Sequence, residues 1–141
     1  MKIAVIGTSE FTLNCAQILI DNECIVSALV SLPKNNLPNN SANVKKFSLL
    51  NNISYFETSD INSNKSISYL EELKVDFILS TWPHIILKRV IDIPKYGVIG
   101  THPTLLPRNR GRHPLHWMVS LGISNSKMSF FKMDETIDGG N

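Results

Sequence analysis

The chain has 141 residues, a formal net charge of +2, and hydrophobic residues at 43% of its positions. That length suits one domain with a real core and is too short for two. The charge is too small to argue for a nucleic-acid or anionic-membrane surface, and no apolar run approaches the ~18 residues that span a bilayer. Cys15 and Cys24 fall at helix and strand positions, and Met1-Lys2 leads into a strand pattern rather than a secretory signal. Buried free thiols and a cytoplasmic setting are therefore expected.

Lys2–Ile6 is almost wholly apolar and stops at Gly7, as a strand covered on both faces would. Gly7-Thr-Ser-Glu10 then turns into a helix with Phe11, Cys15, Ile18 and Leu19 on its inner stripe. Cys24–Val30 reads as a second strand, and Leu32–Ser41, with two Pro and four Asn, as a loop. Val44, Phe47 and Leu50 mark a short helix, and Ser54–Phe56 a brief strand. Asn62–Lys65 opens a helix carrying Ile67, Leu70 and Leu73. Val75–Ser80 is the fourth strand and Tyr96–Gly100 leads into the fifth. Pro114–Leu121 is helical with proline near its first turn, and Lys127–Met133 is a last strand.

Strands alternating with helices imply an α/β fold with a doubly wound, mostly parallel sheet. Ligands of such sheets bind beyond the carboxyl ends of the strands, where the strand order reverses. Gly7-Thr8-Ser9, the stretch from Thr81 to Ile85, and Thr101-His102-Pro103 all fall at such ends and are expected to converge. Gly7-Thr8-Ser9 has one glycine where a dinucleotide fingerprint needs three, so it reads either as a tight turn or as a ligand contact. Trp82, Pro83, His84, Ile85 and Ile86 read equally as core and as the wall of a pocket for a flat ring.

His102 stands just past the end of a strand, in a loop stiffened by prolines, which is how an α/β fold presents a reactive imidazole. His113 and His116 lack a neighbouring Cys or acid to complete a ligand set, so no metal is expected. Arg108, Arg110 and Arg112 read as solvated loop charges or as contacts to an anionic substrate. Asp138 sits in an Asp-Gly turn, and a carboxylate there could orient an imidazole and favour its protonated form.

Together these residues resemble the folate-dependent formyltransferase family. The likeness rests on Gly7-Thr-Ser-Glu-Phe11, the segment from Gly97 through His102 to Pro107, Arg110-Gly-Arg112, and the segment from Met133 to Gly140. It implies a Rossmann-like formyltransferase domain over residues 1–141, with N10-formyltetrahydrofolate as donor and no metal. By the same resemblance, His102 stabilises the developing oxyanion and assists proton transfer, and Asp138 orients and charges it. Trp82–Ile86, with Asp138, Gly139 and Gly140, would receive the folate. Gly7, Thr8, Ser9, Arg110, Gly111 and Arg112 would contact the acceptor.

The chain departs from the family pattern in two places. Gly100 stands where the family carries Asn, removing one donor to the formyl oxygen, and the sequence stops at Asn141, where family members continue, so the domain is expected to be incomplete there. The Arg110–Trp117 segment is similar to nucleotide-sugar members. The Leu32–Ser41 loop has one Lys and no Gly, too little to neutralise many phosphates. An amino-sugar acceptor on a nucleotide carrier is therefore expected, with methionyl-tRNA as the alternative. A non-catalytic folate- or sugar-nucleotide-binding remnant is the reading from another class. No membrane partner is expected, and homo-oligomerisation stays open.

Overall fold

The computed structural model describes residues 1–111, 113–136 and 139–140. Strand β1 (Lys2–Ile6) alternates between two cores: Ala4 and Ile6 enter one, Ile3 and Val5 the other. A strand buried on both faces has no room for polar positions, which is why its sequence is nearly uniform in hydrophobicity.

Helix α1 (Glu10–Asp21) begins with a capping box, in which Ser9 accepts from the Thr12 amide and Thr12 accepts from the Ser9 amide. Its buried face is Thr12, Cys15 and Ala16, whereas Ile18 is 60% exposed, so the expected stripe is rotated. The Thr12 hydroxyl lies 2.6 Å from that of Thr81, and this polar contact turns Thr12 inward. β2 (Ile25–Ser31) is followed by a loop with a 3-10 turn at Lys34–Asn36. In α2 (Val44–Leu50), Val44 and Ser48 are buried and Leu50 is exposed. At 3.6 residues per turn, a spacing of six carries Leu50 well round from the face that Val44 defines.

β3 (Ser54–Glu57) is followed by α3 (Asn64–Leu73), which Ser63 caps and left-handed Lys74 ends. β4 (Phe77–Ser80) leads to a single helical turn absent from the sequence reading, α4 (Lys88–Ile91). β5 (Val98–His102), α5 (Pro114–Ser120) and β6 (Ser129–Lys132) complete the order, and α5 buries only Met118.

The sheet runs β3-β2-β1-β4-β5-β6, with parallel pairing up to β5 and an antiparallel β6. Strand order reverses between β1 and β4, the switch point that the α/β alternation predicts. One core holds Ile67, Leu70, Ile78, Trp82 and Val98, and the second lies under α1 and α2 around Val5, Ala16 and Leu29. Each fully buried aliphatic side chain here contributes about 1.5–3 kcal/mol, so the framework beneath the strand ends is firm. No helix of the described residues is long and apolar enough to cross a membrane.

Candidate active site

A cleft of about 710 Å³ opens beyond the carboxyl ends of β4 and β5. Its wall forms because the chain turns sharply off β4. The Trp82 amide donates to the Ser80 hydroxyl at 3.2 Å, and Thr81 reaches back through both its amide and its hydroxyl to the Ile6 carbonyl. Trp82 and Ile86 are buried in the core, while Pro83, His84 and Ile85 are exposed. Residues 82 and 86 thus take the core reading, and the three exposed residues between them face the cleft that the whole stretch lines.

Asn62 holds the wall in place. Its amide nitrogen donates to the Ile85 carbonyl at 2.9 Å, and its side-chain oxygen accepts from the Leu87 amide at 2.8 Å. One side chain thus satisfies a donor and an acceptor that an irregular segment would otherwise leave to water. The sequence marked Asn62 only as a helix opener, because its partners lie more than twenty positions away.

Gly7 lies against Thr81, behind the cleft rather than in its lining. A Cβ at position 7 would fall 1.9 Å from the Thr81 hydroxyl oxygen, so the close approach of helix and strand requires glycine. Thr8 is buried with its carbonyl accepting from the Ala42 amide, and Ser9 is occupied as the α1 cap. Gly100 and Thr101 do line the cleft.

His102 differs from its expected placement. It is the last residue of β5 rather than a residue beyond it, because β6 pairs alongside and aligns Ser129 with His102. The imidazole is 4% exposed, with Nε2 at 2.8 Å from the Asn109 carbonyl. A carbonyl can only accept, so Nε2 carries the proton in this contact. Asn109 adopts φ 56°, a left-handed conformation that Asn tolerates, and this aims its carbonyl back at the ring. Further bonds stitch the same loop: Thr104 donates to the Arg108 carbonyl at 2.8 Å, and Ser129 donates to the Thr104 carbonyl at 2.7 Å.

At the mouth of the cleft are Gly111, His113 and Asp134. Asp134 was not singled out from the sequence. The Thr136 hydroxyl and amide hold its carboxyl below the ordinary value, with the Arg110 charge adding to the effect. It is thus an ionised group that feels the charge of Arg110. His113 and His116 meet edge-on at 5.5 Å between centroids, and no set of three or more His, Cys, Asp or Glu among the described residues could hold a metal. Gly139 is buried and donates to the Thr136 carbonyl, and Gly140 is exposed. Arg112 and Asp138, two of the expected site residues, lie outside the described residues.

A family model described as "Formyl transferase" matches residues 1–141. The methionyl-tRNA formyltransferase of Fusobacterium nucleatum is 32% identical over 144 residues, covering 99% of this chain and 46% of that protein. That of Mycoplasma genitalium is 34% identical over 145 residues, again with 99% and 46% coverage. The chain thus spans about half the length of these curated relatives. Among solved structures, the phosphoribosylglycinamide formyltransferase of Bacillus halodurans superposes with a TM-score of 0.80 at 17% identity, over 99% of this chain and 75% of that one. A formyltetrahydrofolate deformylase from Pseudomonas putida gives 0.70 at 17% identity, over 99% and 51%. At such identities the structural likeness establishes the fold.

Proposed function

The chain belongs to the formyl transferase family, and from that premise we propose that it carries the donor cleft and reacting centre of an N-formyltransferase. N10-formyltetrahydrofolate, the formyl donor of this family, is the co-substrate. A primary amine nitrogen bonds to the formyl carbon, the bond from that carbon to N10 breaks, and a proton passes from the amine to N10. The half-buried wall from Trp82 to Ile86 suits a flat ring, whose edge would meet the backbone that Asn62 holds in place. His102 offers its Nε2 proton to the formyl oxygen once the ligand displaces the Asn109 carbonyl. A donor aimed at a developing oxyanion is worth about 10²–10³ in rate. Asp138 is the proposed orienting carboxylate, with Gly139 and Gly140 beside the folate. Arg110, Gly111 and Arg112 are the proposed acceptor contacts, whereas the expected Gly7–Ser9 turn does not line the cleft and is left out of that set.

The observation that carries the acceptor reading is the similarity to methionyl-tRNA formyltransferases across 99% of the chain. It favours methionyl-tRNA over the amino sugar that the sequence motifs suggested. The sugar remains a second reading because of Arg110-Gly-Arg-His-Pro-Leu-His-Trp117 and the single Lys in the Leu32–Ser41 loop. The test offers the chain N10-formyltetrahydrofolate with initiator methionyl-tRNA and, separately, with dTDP- and UDP-4-amino sugars. Formylmethionyl-tRNA by mass spectrometry is the expected product. Formylated sugar alone replaces the acceptor, and no binding of the folate overturns the reading.

A further inference from the structure

One row of residues crosses the sheet at the base of the cleft. Ile6 of β1 is aligned with Ser80 of β4, Ser80 with Gly100 of β5, and Gly100 with Phe131 of β6. Aligned residues of neighbouring strands share a sheet face. Ile6 is fully buried, and Phe131 is a ring set over a glycine. A Cβ at position 100 would come within 2.9 Å of both the Phe131 ring and Met133 Cγ. The place of a side chain at 100 is thus already filled by hydrocarbon. Across this row the single polar side chain is Ser80.

Ser80 is 5% exposed and lines the cleft. Its oxygen accepts from the Trp82 amide at 3.2 Å, which fixes the oxygen and leaves its own proton to point elsewhere. Among the described residues no hydrogen bond takes up that proton. A buried hydroxyl that accepts but does not donate is incompletely satisfied, and a ligand acceptor in the cleft would complete it.

We propose that Ser80 is a catalytic residue whose hydroxyl donates to the formyl oxygen of the bound donor, supplying from β4 the contact that Gly100 and Phe131 exclude from β5. This rests on the formyl-transfer reading above. No covalent bond to Ser80 forms. Its hydroxyl proton stays on oxygen while the formyl carbon gains the amine nitrogen and loses N10.

The test compares the full chain with Ser80→Ala and Ser80→Thr. Binding of 10-formyl-5,8-dideazafolate and of 5,8-dideazafolate, which lacks the formyl group, is measured by titration calorimetry alongside formyl transfer. The wild-type chain is expected to bind the formyl compound about tenfold more tightly. Ser80→Ala should erase that preference while still binding the deformyl compound, and should lower transfer about 100-fold. Ser80→Thr, which keeps a hydroxyl, should recover most of both. An unchanged preference in Ser80→Ala overturns the proposal while leaving the formyl-transfer reading intact. Equal losses in both variants, accompanied by a lower melting temperature, assign Ser80 a structural role and also overturn it. If the wild type binds neither compound, both readings fall.

Discussion

Two segments leave neighbouring strand ends and bound the same cleft, yet they are held in different ways. The segment after β4 sends Trp82, Ile86, Val90 and Ile91 into the core, and Asn62 clasps its backbone at two points. The segment after β5 leaves Leu105 exposed, buries Thr104, and depends on a few polar bonds to Thr104, Ser129 and the His102 ring. Burial in a close-packed core resists deformation, whereas individual hydrogen bonds contribute only about 0.5–1.5 kcal/mol net. The first segment is built to keep a shape. The second can release the Asn109 carbonyl from His102 at modest cost, which the proposed chemistry requires.

The strongest way to break this contrast is Trp82→Ala, expected to cost about 3–5 kcal/mol of stability in urea unfolding. A loss below 1 kcal/mol would mean that the wall is not anchored through the core. His102→Ala comes next. Transfer should fall by roughly 10²–10³, with about 0.5–1.5 kcal/mol of stability lost with the hydrogen bond from Nε2 to the Asn109 carbonyl. Retained activity in single-turnover assays would remove His102 from the proposed reaction. Asn62→Ala should cost about 1–3 kcal/mol and raise the KM for the folate more than it lowers kcat, because two backbone groups of the wall lose their partners. Equal effects on KM and kcat would place Asn62 nearer the chemistry than the structure does. The smallest effect is expected at Asn109. Asn109→Gly should leave stability within a few tenths of a kcal/mol, whereas Asn109→Val should cost about 1–2 kcal/mol because a β-branched residue resists positive φ. Nitrogen-15 shifts of the His102 ring should keep the Nε2–H signature in the Gly variant and lose it in the Val variant.

Much of the fold was readable from local pattern. Lys2–Ile6 is uniformly apolar because both its faces are covered, and the strand appears with those bounds. Pro114 marks a helix start by omitting an amide that a helix leaves unpaired, and the helix opened within Asn62–Lys65 begins at Asn64 behind its Ser63 cap. Misplacements occurred where a distant contact overrode periodicity: Thr12 turned inward toward Thr81, and β5 was lengthened to His102 by pairing with β6. The candidate site divides in the same way. Trp82–Ile86 was readable equally as core and as pocket wall, but its clamp was not, and Ser80 looked like any strand-end serine.

By itself the sequence determined the α/β alternation and the family, and it marked the candidate segments around Trp82 and His102, since each is written in contiguous residues. Only the tertiary structure decided that Ser80, Gly100 and Phe131 stand in one row, that His102 gives its Nε2 proton to Asn109, and that Gly7 stays behind the cleft. Those facts depend on strand register and on packing between residues far apart in the chain. Side-chain pattern shows which faces are buried, but it does not say which strand lies beside which, or at what offset.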